Sequence, residues 1–139
     1  MIRVVVDAGG LISAVNERSS LHRETREVLD RLREENARLV VSPFVLAEID
    51  YLLSEREGRP DVALEVLRDV ARGGYHLKPF GSEDLDRADQ NIGLADAANV
   101  VLAERHDTLN ILTTDERHFR VLSSPGGNPF RLLPADKDS

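Results

Sequence analysis

The 139-residue chain carries 25 acidic against 18 basic residues, for a net charge of −7. Its hydrophobic fraction of 41% is enough for one core in one domain. The lack of cysteine excludes disulfides and thiolate metal sites, and the acidic balance argues against a broad basic nucleic-acid surface. Sixteen of the basic residues are arginine and only Lys78 and Lys137 are lysine. Arginine grips phosphate bidentately, although a compositional bias of the source genome explains the ratio as well. Met1-Ile2-Arg3 leads straight into a strand-like run without a signal-peptide core, and no apolar stretch reaches membrane-spanning length. The expectation is a cytoplasmic protein with no membrane association.

Ile2 to Val6 is apolar but for Arg3, as in a buried central strand. Gly9-Gly10 is expected to break it before a short helix over 11–15. Helical spacing follows over 21–35, then a strand over 38–41. Ser42-Pro43 is a strong helix start, with Ser as N-cap and Pro in the first turn. That helix runs to about Glu55, and Gly58-Arg59-Pro60 turns the chain into a further helix through Val70. Gly73-Gly74 closes it. A third strand is expected over 75–79, a helix from Ser82 to Gln90, and a very apolar helix over 94–105. A strand over 110–113, a helix over 115–122, a loop at 125–128 and a last strand over 130–133 complete the pattern. Residues 1–134 form the expected domain, and 135–139 a frayed polar tail. Strands separated by helices imply parallel crossovers, hence an α/β fold: a three-layer α/β/α sandwich around a parallel sheet.

Four acids stand at or near the ends of apolar runs: Asp7, Glu48, Asp96 and Asp115. In such a fold the C-terminal ends of the strands share one edge, where residues distant in sequence meet. Asp7 closes the first strand; a turn or cap role competes, although Asp7 is early for a cap. Glu48 has Phe44, Val45, Tyr51 and Leu52 at helical spacing, which places it on the stripe expected to face the core. A buried carboxylate needs a metal, a cation or strong donors, and a structural ion pair with an arginine competes. Asp50 falls on another face and reads as solvent-exposed. Asp96 and Asn99 are the only polar residues between Leu94 and Ala103, and they share a face. The helix dipole accounts for Asp96 but not for Asn99. Asp115 alone reads as an ordinary N-cap, with Thr113 before it as a strand residue or supporting donor.

Taken together, these acids form a nest of hard oxygen donors, which calls for Mg²⁺ or Mn²⁺ and suits phosphate-ester cleavage. Two bare charges 4 Å apart repel by about 4 kcal/mol at an effective dielectric near 20. Four would not stay ionised together without a cation. The scattered histidines disfavour zinc. Arg117 and Arg120 are candidates for gripping a neighbouring phosphate, against the plainer reading of a solvated helix face.

The stretches Val4-Val5-Val6-Asp7-Ala8-Gly9-Gly10-Leu11-Ile12, Ser42-Pro43-Phe44-Val45-Leu46-Ala47-Glu48-Ile49, Gly93-Leu94-Ala95-Asp96-Ala97 and Ile111-Leu112-Thr113-Thr114-Asp115-Glu116-Arg117-His118-Phe119 together resemble the PIN-domain nucleases, and within them the VapC-type toxins of toxin–antitoxin pairs. The resemblance covers nearly the whole chain. It implies Mg²⁺- or Mn²⁺-dependent RNA cleavage, with Asp7, Glu48, Asp96 and Asp115 as the catalytic acids. In that reading Asp7, Asp96 and Asp115 hold the metal, and Asn99 and Thr113 support them. It also implies a homodimer and an antitoxin whose C-terminal segment blocks the site. One departure stands out: Ala8 replaces the Thr or Ser that usually follows the first Asp. Loss of such a supporting group lowers metal affinity or activity by roughly 10–100-fold; Ser13 is a nearby hydroxyl that would substitute. Ala8 therefore leaves a weakly active or inert PIN-fold binding module as an alternative. A phospho-receiver domain is a more distant rival, since it needs adjacent acids at the first strand and a late lysine. A dehalogenase-type phosphatase needs a second acid where Gly9 stands.

Overall fold

In the computed structural model, which describes residues 1–88 and 91–138, five strands form one parallel sheet in the order β3-β2-β1-β4-β5. The strands are β1 (Arg3–Val6), β2 (Arg38–Val41), β3 (His76–Leu77), β4 (Asn110–Leu112) and β5 (Arg131–Leu133). The helices are α1 (Ala8–Val15), α2 (His22–Glu34), α3 (Pro43–Tyr51), α4 (Pro60–Ala71), α5 (Ser82–Arg87), α6 (Leu94–Arg105) and α7 (Glu116–Val121). One turn of π-helix, Leu52–Arg56, prolongs α3. The chain winds outward from β1 through β2 to β3, then returns to place β4 on the other side of β1. The crevice above β1 and β4 is therefore the topological switch point of the sheet.

Alternation along the strands builds the layers. Val4 and Val6, with Leu39 and Val41, pack under α1–α4 against Leu11, Leu29, Val45, Ile49 and Leu53. Val5, Val40, Ile111 and Leu132 face the opposite layer, where Leu102 of α6 and Phe119 of α7 cover them. Both faces of the sheet are thus buried, the usual state of parallel strands and the reason the strands read as continuous apolar runs. The arrangement is the expected three-layer sandwich.

Gly9-Gly10 does not break the chain but lies inside α1, which begins directly after Asp7. A Cβ at Gly10 would stand 2.2 Å from the Leu112 carbonyl oxygen, so glycine is what lets α1 press onto the end of β4. The third strand is shorter than expected, two residues instead of five. The fifth helix ends at Arg87; the expected end at Gln90 lies outside the described residues. The tail folds back at Asp136 and Lys137. Asp136 accepts from the Leu132 N–H at 2.8 Å and pairs with Arg120 through two 2.7 Å contacts, and Arg131 donates to the Lys137 carbonyl. Polar composition suggested fraying, but these groups fold back onto β5 and α7. No helix among the described residues is long and apolar enough to cross a membrane.

Candidate active site

Asp7 follows the last residue of β1 and is 6% exposed. It occupies the N-cap position of α1, although its place in the sequence looked too early for a cap. Its side chain makes no capping bond. Instead the Asn99 amide donates to Oδ1 at 3.0 Å and the Thr113 hydroxyl donates to Oδ2 at 2.8 Å. A carboxylate at an N-cap ordinarily satisfies helix N–H groups; here it is turned to meet α6 and the end of β4. Burial pushes its pKa up, the Thr113 bond pulls it back, and the charge of Asp96 raises it again.

Thr113 joins two of the acids. Its hydroxyl donates to Asp7 and accepts the Asp115 backbone N–H at 3.0 Å. It therefore supplies Asp7 with the hydroxyl that Ala8 lacks. Ser13 does not, because its hydroxyl is bonded to Thr25 at 3.0 Å in the buried seam between α1 and α2. Asn99 is fully buried; its amide reaches Asp7 while its Oδ1 finds no partner among the described residues. A fully buried amide oxygen without a donor is uncommon, and it lies beside the acid that most needs a cation.

Asp96 stands in the first turn of α6, its side chain 23% exposed. Burial raises its pKa, the His118 charge lowers it, and Asp115 raises it further. Asp115 is the N-cap of α7 and accepts the His118 N–H at 3.2 Å, as its plainer reading held. Its second oxygen lies 2.9 Å from His118 Nδ1, and the same nitrogen is 3.2 Å from Asp96 Oδ2. His118 thus spans the two acids. From the sequence this histidine had no role beyond its place among scattered ones.

Glu48 departs from expectation. It is exposed, as is Tyr51; of the four residues at helical spacing around it only Val45 is in the core, and Phe44 and Leu52 are half-buried. The buried line of α3 is Val45, Ile49 and then Leu53. One residue before Ile49 is a rotation of about 100°, which carries Glu48 out of the core and toward the sheet edge. Its pKa is nevertheless raised, by partial burial first and then by the charges of Asp7 and Asp96. Asp50 is exposed, as expected. Arg117 is exposed and without a partner among the described residues, whereas Arg120 is engaged by Asp136 and Glu116 and is not free to grip a phosphate.

The edge above β1 and β4 thus carries Asp7, Asp96 and Asp115, with Glu48 within their field, and no Arg or Lys among the described residues pairs with any of the four. Among the described residues no three acids or histidines stand close enough to enclose an ion. The donor chemistry still suits a hard divalent cation: carboxylates whose pKa is raised by burial first and by their neighbours' charges next, and a buried amide oxygen without a donor among the described residues.

The PIN domain family model matches residues 4–123. Ribonuclease VapC26 of Mycobacterium tuberculosis is 40% identical over 139 residues, an alignment spanning 94% of this chain and 100% of that protein. This chain belongs to the PIN-domain family, among the VapC-type ribonucleases. The crystal structure of Mycobacterium tuberculosis VapC20, described as a sarcin-ricin loop cleaving toxin, has the same fold. It superposes with a TM-score of 0.65 at 18% identity, over 81% of this chain and 89% of that one. Membership of the family sets aside the phospho-receiver and phosphatase readings.

Proposed function

We propose that this chain is a metal-dependent endoribonuclease acting as the toxin of a toxin–antitoxin pair. The observation that carries the reading is the buried Asp7 carboxylate. Asn99 and Thr113 hold it from two sides, in the field of Asp96 and, among the described residues, without an Arg or Lys to neutralise it. Asp7, Asp96 and Asp115 would hold Mg²⁺ or Mn²⁺. When bound, the ion supplies a water of lowered pKa and positive charge for the phosphate. Thr113 and Asn99 fix the Asp7 oxygens in place, and His118 keeps Asp96 and Asp115 together. Glu48, on the exposed side of α3 and in the field of Asp7 and Asp96, would take a proton from the attacking water. Arg117 is the free cation of α7 that would contact a flanking phosphate.

The same reading includes a homodimer, a cytoplasmic location and a cognate antitoxin. Tyr51, Leu64 and Leu67 are exposed apolar residues on α3 and α4, which lie either side of the turn at Gly58. A partner helix would cover them and bring a basic side chain to the acids in place of the ion. The test is cleavage of RNA by purified protein with and without Mn²⁺ or Mg²⁺, beside Asp7→Asn and Asp96→Asn. Cleavage that needs the ion and vanishes in both variants is expected. Cleavage surviving in both would remove these acids from the site, and no cleavage with either ion would favour the inert binding module.

A further inference from the structure

We infer that the groove beside the acids, bounded by the π-turn after α3, binds single-stranded RNA next to the scissile phosphate, with Arg56 as the residue that holds a backbone phosphate. This rests on the ribonuclease reading and names the place where its substrate lies. The groove has a volume of about 350 Å³ and is lined by Gly9, Thr114, Ser19, Ser20, Leu52 and Arg56, with Glu57 also on its border. Gly9, in the first turn of α1, lies two residues after Asp7, and Thr114, just beyond β4, directly precedes Asp115, so the groove flanks the acids. A volume of this size is at the lower end of small-ligand pockets, roughly 300–1,000 Å³, and suits a short stretch of nucleotide rather than a duplex.

Three observations converge on Arg56. The first is charge. Four carboxylates repel an RNA backbone, so binding must come from cations at the rim. Arg120 is held by Asp136 and Glu116, and Arg59 by Glu17 and Asp61; Arg117, on α7, does not line this groove. Arg56 is exposed and has no partner among the described residues. The second is backbone geometry. The Glu57 N–H bonds to the Leu52 carbonyl five residues back, so the chain makes one wide turn at the end of the helix that bears Glu48. Such turns are rare and concentrate at functional sites. This one sets both Leu52 and Arg56 on the wall of the groove. The third is the lining itself. Ser19 and Ser20 offer hydroxyls and Leu52 an apolar surface, a mixture that suits sugar, phosphate and base together. Complementing a helix C-terminus would also favour an arginine at this position. That role needs no groove, and it makes a different prediction about salt.

The test separates the two and stands apart from the question of cleavage. Binding of a fluorescent single-stranded oligoribonucleotide is measured in the Asp96→Asn background across a salt series. Turnover is measured in the otherwise wild-type protein. Arg56→Ala should weaken binding by about tenfold, the scale of one lost charged hydrogen bond. It should reduce the slope of log affinity against log salt by about 0.7, the value for one phosphate contact on a single strand. In turnover it should raise KM and leave kcat within about twofold. Arg56→Lys should restore the salt slope, and Glu57→Gln should tighten binding by removing a carboxylate from the same groove. Arg72→Ala removes an equal charge from a different cavity, beside Tyr75, and should change neither quantity. Equal behaviour of Arg56→Ala and Arg72→Ala, an unchanged salt slope, or no binding of the oligonucleotide at all would overturn the inference. A wild-type protein that binds RNA through Arg56 but cleaves none would uphold the groove and refute the ribonuclease reading.

Discussion

Thr113 is the residue on which the site turns. It is 1% exposed, and its hydroxyl is bonded to both Asp7 and the Asp115 backbone. Thr113→Val keeps the shape and deletes both bonds, leaving two groups short of a partner. A loss of about 1–3 kcal/mol is expected in denaturant unfolding, together with a roughly 10–100-fold fall in activity. Thr113→Ser should restore most of both. The acids themselves predict a pH dependence. Asp7, Glu48 and Asp96 are raised above their ordinary values of 3.8, 4.5 and 3.8. A carboxylate raised in the folded state binds its proton more readily there than in the unfolded chain. The stability it contributes is therefore lost as pH rises from the unfolded value through the raised one. Glu48 is exposed, so solvent screening reduces its share. In metal-free protein, Asp7→Asn and Asp96→Asn should gain on the wild type across that window and be neutral or stabilising at pH 7. Unfolding curves at a series of pH values check this; variants less stable than wild type at neutral pH would give both acids a structural role instead.

At the scale of elements, the site depends on how closely α1 approaches β4. The Gly10 position meets backbone atoms of Leu112 and Thr113 and no movable side chain. Gly10→Ala must push α1 away from the sheet, and with it Asp7 away from Thr113. Overpacking of this kind costs typically 1–3 kcal/mol, and a backbone contact at 2.2 Å places the expected loss at the upper end. The matched control is Gly126→Ala, where the nearest atoms stand at 3.7 Å and 3.8 Å. That change should be neutral or stabilising by up to about 1 kcal/mol, through the unfolded chain. Thermal unfolding of the pair measures the difference, and activity of the Gly10 variant at low temperature shows whether the site moved with the helix. An equal effect at both glycines would mean that α1 is not wedged on β4.

At the scale of the whole molecule, binding an ion to a crevice that the unfolded chain lacks must stabilise the fold. At a concentration one hundred times the dissociation constant the gain is about 2.7 kcal/mol. Mn²⁺ or Mg²⁺ should raise the melting temperature of the wild type and leave that of Asp7→Asn and Asp96→Asn nearly unmoved; an equal rise in all three would place the ion elsewhere. The exposed apolar residues of α3 and α4 give a second expectation. Tyr51→Ser and Leu64→Ser start from side chains 63% and 46% exposed. They should therefore change stability by less than about 0.5 kcal/mol. Co-purification with the cognate antitoxin should nevertheless be lost if that surface is its seat, and a complex that survives both changes would move the contact elsewhere.

The strand and helix pattern, the parallel sheet and the gathering of Asp7 and Asp115 at one edge were legible from residue order alone. Continuous apolar strands separated by amphipathic helices have few other ways to bury both faces of a sheet, and Ser42-Pro43 marks a helix start whatever surrounds it. Asn99 was legible too, as a polar residue with no local reason to sit in an apolar helix. What lay beyond the sequence were features set by contact between distant segments. Glu48 is turned outward because Val45, Ile49 and Leu53 define the buried line of α3, and spacing along one helix does not say which stripe the sheet will take. Gly9-Gly10 reads locally as a breaker and is instead a close approach, since its constraint comes from Leu112 a hundred residues away. His118 joins Asp96 to Asp115, and Arg56 reaches the groove, only once α6, α7 and the π-turn are in place. Local propensity and hydrophobic period determined the elements; the packing of those elements decided which side chains meet.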